Sequence, residues 1–229
     1  MSQSEKIAAA STALKRHVQK IVQELPELSA ATDASDRITQ HFLNRLLVAT
    51  DYASGCAILA ESSVGSPMFA ITRALFESFV SIYWAAQTRE NGEIIVEAST
   101  REVIRIVKLN LGKGHARILH KETAEDRTKN LLRDPKMASP GRLPRYDHMA
   151  DGAGIRKIYD QLYGMLSLLS HASGADFLAE RNQEEPIYVN LHSATACLRC
   201  IHLIVSARIN ENRTVNQSEI EAIMKVALT

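Results

Sequence analysis

The chain has 229 residues, 45% of them hydrophobic and 23% charged, with ten glycines and six prolines, a composition that excludes disordered, fibrous and collagen-like classes. A formal net charge of +1 excludes a global field that would draw nucleic acid or an acidic surface, so any such affinity has to come from a local patch. Three cysteines, Cys56, Cys197 and Cys200, do not make a disulfide scaffold; reduced thiols, a single domain over 1–229 and a cytoplasmic setting are expected.

Apolar or small residues at Ile7, Ala10, Leu14, Val18, Ile21 and Leu25 recur at helical spacing and predict an N-terminal helix within 1–25, stopped by Pro26. Glu5, Lys15 and Arg16 interrupt that segment, so it does not read as a signal peptide. A second helix is expected from a cap at Asp33 or Ser35, through Ile38, Phe42, Leu46, Ala49, Ala53 and Leu59, to about Ser62. Ser66 and Pro67 signal the start of a third, which runs to Arg89 and ends at Asn91 and Gly92. Its apolar stretch from Pro67 to Ala86 holds Arg73 and Glu77 near the middle. Each would cost roughly 2.5–3.5 kcal/mol at a bilayer centre, so a buried core helix is expected and no membrane partner.

Beyond Glu93 the helical pattern resumes through Ile95, Val103, Ile104, Val107 and Leu111, with a kink or break at Gly112 and Gly114. A charged helical stretch is expected over Ala116 to Arg133, followed by a long irregular crossover at 134–154 rich in proline and glycine. Ile155, Ile158, Tyr159, Leu162, Leu166 and Leu169 then predict a helix ending near His171. After a polar connection at Glu184 to Pro186, a long apolar helix is expected over Val189 to Asn210, and a short terminal one over Ser218 to Leu228 capped by Ser218. No strand pattern and no internal repeat is present. The fold class is therefore all-α, a helical bundle of about six to eight helices with one long Pro/Gly-rich crossover loop.

Arg73 and Glu77 lie one turn apart on the third helix, with Ser81 a turn further on. Such a pair either forms a solvated stripe or register-holding ion pair, or presents a guanidinium oriented by Glu77 toward a phosphate or carboxylate. Asp160, Gly164, Ser167 and His171 share one face of a later helix, with Tyr163 and Ser170 beside them. His171 then either caps the last carbonyls or works as a general acid or base, with the hydroxyls of Tyr163 or Ser167 positioning a substrate oxygen. Between Arg101 and Arg145 stand twelve lysines and arginines against five carboxylates, a local balance of +7. Within that span Arg101, Arg105 and Lys108 form the basic face of an amphipathic helix, either solvated or suited to phosphate backbones. Cys197 and Cys200 form C-x-x-C inside an apolar helix and read as buried thiols. There is no H-E-x-x-H, phosphate loop, dinucleotide-binding glycine pattern or G-x-S-x-G, so neither a metal nor a cofactor is expected.

The segments Arg73-Ala-Leu-Phe-Glu77 and Tyr163-Gly-Met-Leu-Ser167-Leu-Leu-Ser170-His171 resemble a group of uncharacterised bacterial all-helical families that carry an R-x-L-x-E helix and a downstream Y-x-x-L-S-x-x-x-H helix end. Those families look related to the HEPN superfamily, and the resemblance spans Thr50 to Gly174. It implies either a metal-independent ribonuclease or toxin of bacterial defence, or a dimerising accessory subunit without activity. The HEPN nuclease signature, an arginine and a helix-end histidine with four to six residues between them, has its one matching spacing from Arg142 to His148, in the Pro/Gly-rich stretch. Arg73 would accordingly have to stand in for the arginine near His171. The expectation is a protein acting on RNA or a nucleotide, with Arg73, Glu77 and His171 as its centre. Tyr163, Ser167, Ser170, Arg101, Arg105 and Lys108 are then its binding groups. The alternative is a homodimeric interaction module joined through the near-heptad stripe of the first helix.

Overall fold

Helix α1 (Gln3–Ala31) opens with a capping box in the computed structural model, which describes residues 2–133, 143–170 and 184–228. Ser2 Oγ accepts from the Glu5 backbone N–H at 3.3 Å and the Glu5 carboxylate accepts from the Ser2 N–H at 2.6 Å. The expected stop at Pro26 does not occur. A helical proline removes the bond to the carbonyl four residues back, and its ring crowds that carbonyl. Here that carbonyl belongs to Val22, on an exposed turn where water can satisfy it, while burial of Leu28 draws the helix onward.

Helix α2 (Arg37–Glu61) is capped by Asp36 rather than by Asp33 or Ser35. One oxygen of Asp36 accepts from the Ile38 and Thr39 N–H groups at 3.1 and 3.2 Å, whereas Asp33 is engaged by the Ser35 amide and hydroxyl. Helices α3 (Gly65–Gln87) and α4 (Arg89–Gly112) are separated by Thr88 alone, whose hydroxyl accepts from the Asn91 N–H at 3.1 Å. The terminators expected at Asn91 and Gly92 therefore open the next helix. Asn91 still serves the preceding one by donating its side-chain amide to the Trp84 carbonyl at 3.0 Å. Gly92 is needed for closeness: a Cβ there would stand 2.9 Å from Ile38 Cγ2.

The helix expected over Ala116 to Arg133 is confined to α5 (Thr128–Arg133). Before it the chain makes one isolated bridge between Leu119 and Asp126, with Leu119 exposed, and the Thr128 hydroxyl and Asp126 carboxylate hold neighbouring backbone N–H groups. A charged segment with no apolar face to bury loses to such local side-chain bonds. The expected loop at 134–154 is only partly described, and its end forms a short helix α6 (Tyr146–Gly152) anchored by buried Met149 and Ala150. Helix α7 (Arg156–Ser170) matches the sequence reading, whereas α8 (Glu184–Asn210) starts a turn early, taking the expected polar connection into its first turn. In α9 (Gln217–Leu228) the cap is Asn216, which exchanges bonds with Glu219, and not Ser218.

The architecture is all-α, with nine helices and no strand among the described residues. Helices α1, α2, α3 and α8 form the inner bundle; α4, α6 and α7 pack against α3, and α9 packs against α8. The α1 stripe of Leu14, Ile21 and Leu28 is buried against α2 and α8 in this chain's own core, so it is not free to join subunits as expected. Met68, Phe69, Leu75, Phe76, Phe79 and Val80 bury α3 on nearly every side, the one polar stripe being Arg73, Glu77 and Ser81. No helix among the described residues is long and apolar enough to cross a membrane.

Candidate functional site

Two polar stripes face each other where α7 lies against α3. On α3 the one-turn spacing carries Arg73, Glu77 and Ser81; on α7 it carries Tyr159, Tyr163 and Ser167, with Ser170 next. Arg73 meets the C-terminal end of α7 and Phe76 packs near Tyr159, so the helices run antiparallel. Bulky residues bury most of α3, and Ile158, Leu162, Leu166 and Leu169 bury the inner face of α7, while Arg156, Asp160, Gly164 and Leu168 keep its outer face in solvent.

Arg73 is the hub. Its Nε donates to Glu77 Oε1 at 3.0 Å, one terminal nitrogen donates to the Tyr163 hydroxyl at 2.7 Å, and the other donates to Ser167 and Ser170 Oγ at 3.4 and 3.5 Å. The guanidinium carbon also lies 4.9 Å from the Tyr163 ring centre. Burial works against its charge, yet the Glu77 carboxylate and the Tyr163 hydroxyl outweigh burial and hold the guanidinium above its ordinary pKa. With side chains 25% and 23% exposed, Arg73 and Glu77 stay reachable from solvent while their geometry is set by packing.

A cavity of about 490 Å³ adjoins this cluster, and Tyr163 belongs to both. Ser81 and Tyr159 continue the two stripes into its wall; Arg45 of α2, Ser99 of α4, and Arg145, Tyr146 and Asp147 at the start of α6 join them, with Ile95, Leu143, Pro144 and Met149 as its apolar part. Tyr159 stacks on Tyr163 at 4.7 Å with planes 14° apart. Burial, then the neighbouring Tyr163 and Asp147, push the Tyr159 hydroxyl up to about 12. Burial and the Glu77 charge likewise raise Tyr146, against the pull of Arg45 and Arg73. These phenols stay protonated at neutral pH and act as hydrogen-bonding faces.

Of the residues expected at the site, Arg73, Glu77, Tyr163, Ser167 and Ser170 converge. His171 lies outside the described residues. Asp160, expected on the face of Ser167, is instead exposed and bound to Arg156 at 2.8 Å. Arg101, Arg105 and Lys108 stand further along α4 than Ser99 and are not among the cavity walls; Arg101 pairs with Glu97. Sequence reasoning missed Arg45, Tyr146 and Tyr159. Only Tyr159 had a signal, its position one turn before Tyr163; Arg45 lies on another helix and Tyr146 in the stretch read as irregular. Cys197 and Cys200 are fully buried with their thiol pKa values raised by burial, and no cluster of metal-ligating side chains occurs among the described residues.

A family model described as a family of unknown function (DUF5677) matches residues 41–186, and the chain belongs to that family. The matched span takes in every residue named in the cluster and in the cavity wall. No curated protein and no solved structure matches the chain.

Proposed function

We propose that this DUF5677 member is a HEPN-like helical protein that acts on RNA or a nucleotide, as a metal-independent ribonuclease or toxin of bacterial defence in the cytoplasm. The observation that carries this is the solvent-edge guanidinium of Arg73, oriented by Glu77 and bound to a phenol of a helix distant in sequence, beside a cavity. Its contacts to Ser167 and Ser170, at 3.4 and 3.5 Å, are weak, and a phosphate oxygen can replace them with shorter charge-assisted bonds.

In the proposed reaction the ribose 2′-hydroxyl attacks the adjacent phosphorus. A P–O2′ bond forms, the P–O5′ bond breaks, and a 2′,3′-cyclic phosphate and a 5′-hydroxyl end result. His171 takes the proton from the 2′-hydroxyl while water gives one to the leaving 5′-oxygen, or the two exchange these roles, and Arg73 stabilises the charge gathering on the non-bridging oxygens. Tyr163 and Ser167 position the phosphate, while Arg101, Arg105 and Lys108 attract the flanking backbone.

The test is incubation of the purified protein with total RNA in a chelator. Wild type should cleave, and Arg73→Lys, which keeps the charge but loses the planar fork, should lose about 100-fold or more in rate, as should His171→Ala. Intact RNA with wild type, or cleavage undiminished in both variants, would remove the nuclease reading. A second reading, a homodimeric interaction module, draws on the exposed Leu47, Val48, Tyr52 and Ile58 along α2. Sedimentation of wild type against Leu47→Glu checks it, a monomer in both cases counting against dimerisation.

A further inference from the structure

The cavity beside Arg73 combines three chemistries in one space. Tyr159 and Tyr163 offer stacked rings, and Tyr146, 36% exposed, offers a third. Ser81 and Ser99 bring hydroxyls from two different helices. Two guanidinium groups also line the wall and differ in state. Arg145 donates to Asp147 at 3.1 Å and is largely exposed, so its charge is already answered. Arg45 is half-buried and has no carboxylate partner among the described residues. Its charge nevertheless reaches Tyr146 of the same wall, where it opposes the rise that burial and Glu77 impose on that hydroxyl. A half-buried guanidinium in a cavity wall with no carboxylate to meet it is suited to an incoming anion.

Charge sets what that something is. The cavity wall holds two arginines against Asp147, a balance of +1, and the adjoining Arg73 is offset by Glu77. One phosphate group is therefore answered, and the further phosphates of a polyanion meet no additional cation in the wall. A volume of about 490 Å³ lies within the range that encloses a small organic ligand of one or two rings.

We propose that this cavity binds one nucleotide unit, its base against Tyr146 and its single phosphate on Arg45. The assignment rests on the nucleotide reading of the Arg73 cluster and adds to it a subsite on residues that cluster does not use. It also fixes a preference: a nucleoside monophosphate binds at least as well as the corresponding triphosphate.

Calorimetric titration of the full chain with adenosine 5′-monophosphate, adenosine, ribose 5-phosphate and adenosine triphosphate tests it. Expected is saturable binding of the monophosphate, at least tenfold weaker binding of adenosine and of ribose 5-phosphate, and no gain for the triphosphate. Arg45→Gln should weaken the monophosphate at least tenfold and leave adenosine unchanged, since a charge-assisted bond is lost. Tyr146→Leu should weaken monophosphate and adenosine alike. The paired change Arg145→Gln with Asp147→Asn, which removes one ion pair and keeps the balance of the wall at +1, should change little, and it provides a folded control at the same rim. Absence of monophosphate binding at 10 mM ligand, roughly the weakest affinity worth assigning to a site, overturns the proposal. Equal losses from Arg45→Gln and from the Arg145→Gln, Asp147→Asn pair would also overturn it, because Arg45 would then have no special place in the site, and so would ribose 5-phosphate binding as well as the full nucleotide. Competition with a trinucleotide of RNA tells the source: displacement of the monophosphate marks an RNA residue as the occupant, and no displacement marks a free nucleotide. A chain that binds the monophosphate through Arg45 yet leaves RNA intact keeps this site and loses the nuclease reading.

Discussion

Replacing Tyr163 by phenylalanine removes one oxygen and leaves the ring, so it isolates the bond that joins α3 to α7. That oxygen accepts from Arg73 at 2.7 Å, a short charge-assisted hydrogen bond, while the Tyr159 stack and the guanidinium contact with the ring do not need the hydroxyl. A hydrogen bond to a charged group contributes about 1.5–3 kcal/mol, and the 25% exposure of the Arg73 side chain lets water recover part of this, leaving about 1–1.5 kcal/mol. For a chain of this size that is a fall in Tm of roughly 2–6 °C. Arg73→Met should cost more, about 2–3 kcal/mol, because it also leaves the Glu77 carboxylate without its partner. Urea unfolding of wild type, both single variants and the double variant at neutral pH yields the coupling between the two side chains, expected near 1 kcal/mol. A coupling below about 0.3 kcal/mol, or a Tyr163→Phe midpoint equal to wild type, would mean that the two helices are held by apolar packing alone and that the polar stripe contributes nothing to their contact.

Asp36→Ala should lower stability by about 1–2 kcal/mol, since two N–H groups of α2 and the Thr39 hydroxyl lose their acceptor; equal urea midpoints would contradict the cap. Gly92→Ala should cost about 1–3 kcal/mol through overlap with Ile38, and the same change made in an Ile38→Ala background should cost clearly less. Additive effects in that pair would refute the close approach. Burial raises the Cys56 thiol to about 11 and raises Cys197 and Cys200 as well, so a thiol-specific chromogenic reagent should find no reactive cysteine in the native chain and three in urea. Burial, then His202 and Arg199, hold His17 down to about 4, and burial, then Arg45, do the same for His41. Because the unfolded chain takes up these protons from about pH 6.5 and the folded chain only near 4, stability should fall as pH drops through that window. His41→Gln should flatten the fall by about 1 kcal/mol once its partial exposure is allowed for, and an unchanged profile would deny it a role.

The sequence by itself determined the features that depend on neighbours three and four residues apart. Helical periodicity located α1, α2, α3, α7 and α8, and the apolar density around Met68, Phe76 and Val80 marked α3 as the buried helix. The same short-range spacing set Arg73 beside Glu77, and Tyr163 beside Ser167 and Ser170. It misjudged ends and weak segments. Pro26, Asn91 and the stretch from Ala116 to Arg127 each obey a local preference that a tertiary contact or a competing side-chain bond overrides. Only the tertiary structure decided that Arg73 and Tyr163, 90 residues apart, meet, and that Arg45, Ser99 and Tyr146 close a cavity beside them. Periodicity records which face of a helix is polar, but which two polar faces come together depends on the packing of the whole bundle, whose contacts join residues far apart in the chain.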